Sequence, residues 1–208
     1  MKSKIIITCC LLMIAGTVRA QWGVFDWSNL TQGIINSSNE MAQTSMTAEN
    51  VLANWKETVK IYEQSKAYYD KLRGVTETVK SVRKVKQCIL MVGEISEIYV
   101  KNYDRMLSDP HFTSGELSSI AFGYSRLLEE STASLIDLQQ IVTPGEMSMT
   151  DKDRLDLIDR VYRELTRYRR LTDYYTRKNI SVAMLRAEET NDVQRAIALY
   201  GTDADRYW

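Results

Sequence analysis

Histidine and cysteine, the side chains that most often build metal sites and nucleophile–base pairs, are scarce in this chain of 208 residues: one histidine and three cysteines. His111 follows Pro110 in a short polar stretch, and Cys88 lies well upstream of it. A zinc site takes three or four His, Cys or carboxylate ligands at short spacings, and one His with one remote Cys does not supply them. No metal and no cofactor is expected. The glycine-rich loops that cradle phosphates and the G-x-S-x-G nucleophile elbow have no counterpart here. Cys88 and His111 would act as nucleophile and base only if the thiol were accessible and ionised. Cys88 instead keeps helical spacing with Val85, Val92 and Tyr99, the pattern of a small buried apolar side chain.

Carboxylates are the next candidates. Asp151, Asp153, Asp156 and Asp159 interleave with Lys152, Arg154 and Arg160. On a helix such alternation makes a solvated face with partners at i+3 and i+4, not an acid pair facing across a cleft. An enzyme, such as a peptidoglycan hydrolase working through Asp151, Asp153, Asp156 and Glu164, would need a pocket that nothing nearby builds. Further on, Arg160, Arg163, Arg167, Arg169, Arg170, Arg177 and Lys178 alternate with Tyr162, Tyr168, Tyr174 and Tyr175. Arginine with aromatics can hold single-stranded nucleic acid. The reading that fits better puts the tyrosines beside a buried stripe and the arginines on its flanks, paired with acids of neighbouring helices. No catalytic residue is expected, and nucleic acid is not the expected partner.

Two aromatic clusters stand outside this pattern. Trp22, Phe25 and Trp27 crowd the stretch 21–28, and Tyr207 and Trp208 end the tail 201–208. Each either packs back on the fold or anchors another subunit, since aromatics dominate interface energetics. With His111 and Phe112, in the loop 107–116, they are the candidate partner-binding residues. The loop 143–150 is also available for contact.

The elements that position these residues are helices. Leu155, Ile158, Tyr162, Leu165, Tyr168, Leu171, Tyr175, Val182 and Leu185 recur mostly at three- and four-residue steps, which aligns them on one side of a long helix. Thr150 with Asp153 caps its start, and Lys178–Ser181 suggests a kink or break in it. Leu30 through Leu72 keep helical spacing as one run, firm from 48 to 73 and weakened by Ser, Thr and Asn before that. A second stripe runs from Val75 to Met106 and stops at Ser108-Asp109-Pro110. Thr113-Ser114-Gly115-Glu116 is a capping box that opens a third helix, Leu117 to Val142, closed by Thr143-Pro144-Gly145. Asn191 with Gln194 reads as the cap of a last short helix ending at Gly201. No period-two strand pattern occurs. The expected fold is all-α, an elongated antiparallel bundle of long helices with short accessory helices and no β-sheet, in one domain over 21–208.

Residues 1–20 read as a secretory signal peptide: Lys2 and Lys4, an apolar run from Ile5 to Ala15, then Val18-Arg19-Ala20. The run falls short of the ~20 residues that span a bilayer, and no other stretch is apolar enough, so an integral membrane protein is not expected. Cleavage after Ala20 would remove three basic residues and leave 24 basic against 27 acidic, a net charge of −3. That balance argues against general nucleic-acid binding. Only Cys88 would remain, so no internal disulfide could form and the core alone would hold the fold.

Several local motifs carry a family likeness. Gln21-Trp22-Gly23-Val24-Phe25-Asp26 followed by Asn29-Leu30, then Glu57-Thr58-Val59-Lys60-Ile61-Tyr62, are joined by Asp109-Pro110-His111-Phe112-Thr113, Ala121-Phe122-Gly123-Tyr124 and Tyr174-Tyr175-Thr176-Arg177-Lys178. Through them the chain resembles the conserved-operon transfer proteins of Bacteroidetes-type conjugative transposons, from the signal peptide to Gly201. More distantly its opening is similar to the minor, tip-located pilus subunit of type IV secretion systems, although Trp27 stands where those proteins have proline. The resemblance implies an exported component of a DNA-transfer apparatus in the periplasm, then at the cell surface or pilus tip. It also implies a bundle of long helices with a small appendage, no catalytic residues to carry over, and partners among other transfer or pilus proteins. The alternative is an exported helical chaperone or adapter of the cell envelope. Neither reading takes a small-molecule substrate, and the sequence sets no oligomeric state.

Overall fold

A computed structural model of the protein describes residues 27–45, 50–74, 80–143 and 150–202. Among the described residues there are six helices and no strand. They are α1 (Trp27–Ser45), α2 (Val51–Arg73), α3 (Lys80–Leu107), α4 (Ser114–Val142), α5 (Asp151–Glu189) and α6 (Val193–Tyr200). At about 1.5 Å per residue the 39 residues of α5 reach nearly 60 Å. The expected signal peptide at 1–20, the aromatics Trp22 and Phe25, and Tyr207 and Trp208 lie outside the described residues, and the side chain of Trp27 is likewise not described.

Successive long helices run in opposite directions. Ser45 Oγ meets Thr58 Oγ1 at 3.2 Å between α1 and α2. Trp55 Nε1 reaches Asp104 Oδ1 at 3.4 Å between α2 and α3. Tyr103 donates to the Leu117 carbonyl at 2.9 Å between α3 and α4. Tyr124 and Thr176 share a 2.7 Å hydrogen bond between α4 and α5. This alternation makes α3 and α5 parallel neighbours. Lys84 with Asp159, Met91 with Thr166, and Glu94 with Arg169 all pair at a constant offset of 75 residues.

The core has two parts. One is aliphatic, with Ile34, Ile89, Ile95, Leu128, Leu135 and Leu165 at its centre. The other is aromatic, built from Trp55, Tyr99, Tyr103, Phe112, Tyr124 and Tyr200. In the aromatic part Tyr99 stacks on Tyr124 with centroids 4.8 Å apart, and Trp55 meets Tyr103 edge-on at 4.8 Å. Tyr69 packs so closely on α3 that a Cβ at Gly93 would lie 2.5 Å from its ring, which is why that helix position is a glycine.

Both expected capping boxes are present. The Thr113 and Thr150 side chains accept from the backbone N–H of Glu116 and Asp153, and those carboxylates bond back. In four places the structure departs from the expected elements. The run 29–73 is two antiparallel helices, α1 and α2, because its two halves bury their apolar stripes on each other. No break occurs at Lys178–Ser181. Asn179 donates to the Tyr175 carbonyl at 2.9 Å and Ser181 to the Arg177 carbonyl at 2.9 Å, so both side chains fold onto their own helix without interrupting it.

The buried face of α5 also matches the expected stripe only in part, since Ile158, Leu165 and the tyrosines Tyr162, Tyr168 and Tyr175 pack on the core. Leu155, Leu171, Val182 and Leu185 are exposed, while Thr172, Thr176, Ala183 and Ala187 are buried with Ile158, Val161 and Leu165. The tyrosines of α3 and α4 fill the space there, so α5 offers them small side chains. Finally, α6 is capped by Asp192 with no side-chain bond. Asn191 takes the left-handed conformation (φ 56°) at the exit from α5, which asparagine tolerates better than most residues.

Candidate functional site

The densest polar cluster joins the α3–α4 connection to the last turns of α5 and α6. Pro110 ends α3 beyond Ser108, and the chain folds back through Asp109-Pro110-His111-Phe112 to the Thr113 cap. Asp109 is buried, as carboxylates almost never are unless their oxygens are satisfied. Its Oδ1 accepts the His111 backbone N–H at 2.9 Å and lies 2.6 Å from His111 Nδ1. Its Oδ2 accepts the Tyr200 hydroxyl at 2.7 Å. Burial pushes the Tyr200 phenol far up, and the hydrogen bond to Asp109 adds to it, so Tyr200 remains a donor.

A second layer surrounds the first. Arg186 donates to the His111 carbonyl at 2.7 Å and grips Glu116 through both terminal nitrogens, at 3.1 and 2.6 Å. Glu116 also closes the α4 capping box. Arg186, then the Thr113 backbone and hydroxyl, hold the Glu116 carboxyl down at about 2.

The other ring nitrogen of His111, Nε2, lies 3.2 Å from Thr190 Oγ1. Carboxylate, imidazole and hydroxyl thus stand in the order of a hydrolase triad. The hydroxyl proton, however, goes to the Arg186 carbonyl at 2.9 Å, so Thr190 is not set to give it to His111. The His111 side chain is only 7 % exposed. What this arrangement does chemically is tie four chain segments together.

His111 and Phe112 therefore turn inward, one into the polar joint and the other into the aromatic core. The Asp109, Arg186 and Tyr200 partners were not singled out from the sequence. An acid two residues before the single histidine, followed by a capping box, is the signal the sequence offers.

Cys88 is buried in the aliphatic core, where burial, and then the charge of Asp159, pushes its thiol up to about 12. Asp153 serves its cap, and Asp159 pairs with Lys84 of α3. The expected pairing of the α5 arginines with neighbouring helices holds for Arg169, which reaches Glu94. It fails for Arg160, Arg163, Arg167 and Arg170, which have no ion pair among the described residues because they point away from the bundle. Among the described residues no group of three or more His, Cys, Asp or Glu side chains gathers as metal ligands.

Concavities border the bundle in several places. A groove of about 740 Å³ between α3, α5 and α6 is lined by Asn102, Arg105, Arg169, Arg177 and Tyr200. An apolar cleft of about 550 Å³ lies where α1, α3, α4 and α5 meet, with Val82, Val85, Val142 and Ile158 on its walls. The first pairs its acid, Asp173, with Arg169, and the second holds one acid, Asp151, and no histidine or cysteine. No described helix is long and apolar enough to cross a membrane.

A domain of unknown function, DUF4141, matches residues 3–55, about a quarter of the chain, which takes in α1 and the first turn of α2. No curated protein and no solved structure matches the chain.

Proposed function

We propose that this protein is a structural, assembly component of a conjugative type IV secretion apparatus, akin to a minor pilus-tip subunit, and that it works by contact with other proteins. The observation that carries the reading is where the polar chemistry goes. Asp109, His111, Arg186, Glu116 and Tyr200 bond to one another and close the end of the bundle. Large apolar side chains meanwhile stay on the outside of the longest helix. A helical rod built this way offers faces for contact, and interface energy concentrates in a few such apolar and aromatic side chains.

The sequence resemblance supplies the apparatus, with export to the periplasm and the surface as the route. Trp22, Phe25 and Trp27 and the tail aromatics Tyr207 and Trp208 are the terminal contact points this reading assigns.

Deletion of the coding sequence, with DNA transfer and pilus assembly both scored, tests it. Loss of transfer restored by the intact chain is expected, and undiminished transfer would end the proposal. A role as exported helical chaperone would show instead as suppressed aggregation of envelope proteins in vitro.

A further inference from the structure

The outward side of α5 carries a row of exposed residues at three- and four-residue steps. Its first half presents Arg160, Arg163, Arg167 and Arg170. Its second half presents Leu171 (38 % exposed), Tyr174 (56 %), Val182 (39 %) and Leu185 (51 %), interrupted by Lys178, whose ammonium lies 5.5 Å from the Tyr174 ring centroid. The row is continuous over about 38 Å at 1.5 Å per residue. Arg167 lies over the ring of Tyr168 at 5.7 Å, and Glu164 is the one acid along the basic half. Where the halves meet, Tyr162, Arg163, Thr166, Arg167, Arg170 and Leu171 line a depression of about 470 Å³.

We propose that this row is the docking face for one amphipathic helix of another protein, acidic along half of its contact side and apolar along the other half. The proposal rests on reading the chain as a contact-building protein, not on which apparatus it serves. The spacing is that of anchors for a helix laid alongside a helix. Guanidinium groups match carboxylates two bonds at a time, and these four arginines, which form no ion pair among the described residues, supply that complementarity.

A second copy of this chain does not fit. In a twofold antiparallel pairing about the middle of the row, Arg160 would meet Leu185, Arg163 would meet Val182 and Arg167 would meet Lys178. In a parallel pairing each arginine would meet itself. Both set like charges together or bury charge against apolar surface, which opposes association.

The test uses the purified chain and stapled helical peptides long enough to cover the row. Two carry a leucine half and a glutamate half, in either order, and a third interleaves the same residues. One ordered peptide is expected to bind at least tenfold more tightly than the interleaved one. Arg160→Glu with Arg163→Glu and Arg167→Glu should abolish that preference, and a lysine-for-glutamate peptide should restore it on the variant. Leu171→Ser with Leu185→Ser should weaken binding at high salt as well as low. All five positions are exposed, and unchanged circular dichroism would show that the variants fold.

Equal binding of the three peptides, or none, overturns the proposal. So does tighter binding of a single-stranded oligonucleotide or of phosphatidylglycerol vesicles that the arginine variant loses. A chain required for DNA transfer yet indifferent to these peptides would sink this inference and leave the secretion reading standing.

Discussion

A carboxylate shut away from water has to find donors for its oxygens inside the protein, and Asp109 finds three: the His111 backbone, the His111 ring and the Tyr200 hydroxyl. Glu116, at the surface of the same joint, does its work by charge. Arg186 and the Thr113 cap hold its carboxyl at about 2, below the ordinary 4.5. A folded-state value below the unfolded one means stabilisation that is complete above the unfolded value and is lost as pH falls through the folded one. Wild type should therefore melt higher than Glu116→Gln at neutral pH. The gap should shrink below about pH 4.5 and close near pH 2, as measured by thermal melts across that range. A gap that stays constant with pH would mean that the Glu116 charge contributes nothing and that only its shape matters.

At the scale of the element, α5 shows that the same residue type can matter or not according to its partner. Thr172 and Thr176 are both buried, and both donate to a carbonyl one turn back, at 2.9 and 2.8 Å. That carbonyl already has its helical hydrogen bond, so removing the hydroxyl orphans nothing. Thr176 differs in also meeting Tyr124 Oη at 2.7 Å, inside the aromatic core. Thr172→Val should change stability by well under 1 kcal/mol, whereas Thr176→Val should cost about 1–3 kcal/mol, the usual penalty for a buried hydroxyl left without a partner. Urea unfolding of the two variants side by side decides it, and equal losses would refute the assignment.

The threonines also explain why the sequence revealed the helix and hid its face. Pattern reading follows large apolar residues, and on α5 Leu155, Leu171, Val182 and Leu185 point outward while threonine and alanine go in beside Ile158, Val161 and Leu165. The capping boxes, the Pro110 stop and the all-helical class depend on local chemistry and were legible. The parallel register of α3 on α5 and the closing of Tyr200 onto Asp109 join residues far apart in the chain, which no local pattern encodes. Of the candidate site, the sequence pointed to His111 and Phe112 but not to the direction in which they face.

For the whole molecule the open question is whether the aliphatic and aromatic halves of the core open together. Four helices cross between them. The chain of α3 runs from Cys88 and Val92 in one to Tyr99 and Tyr103 in the other, and α2, α4 and α5 likewise contribute to both. A helix shared by two clusters cannot unfold in one without losing turns that the other packs against, so opening should be cooperative. Cys88 reports on this. Its thiol is fully buried and held protonated, and it sits in the aliphatic half, away from the Asp109 joint. Alkylation thus requires an opening large enough to expose the middle of the bundle.

Tyr200→Phe removes a hydrogen bond to a buried charge at the aromatic end, a loss of about 1.5–3 kcal/mol. If the molecule opens as one unit, Cys88 alkylation in the native state should accelerate by roughly ten- to a hundredfold, in step with the measured loss of global stability. If the halves open independently, the joint and α6 would exchange their amides faster while Cys88 reacted at the wild-type rate. Labelling and hydrogen exchange on the same variant separate the two outcomes. The second would show that the rod is two stability units strung on shared helices.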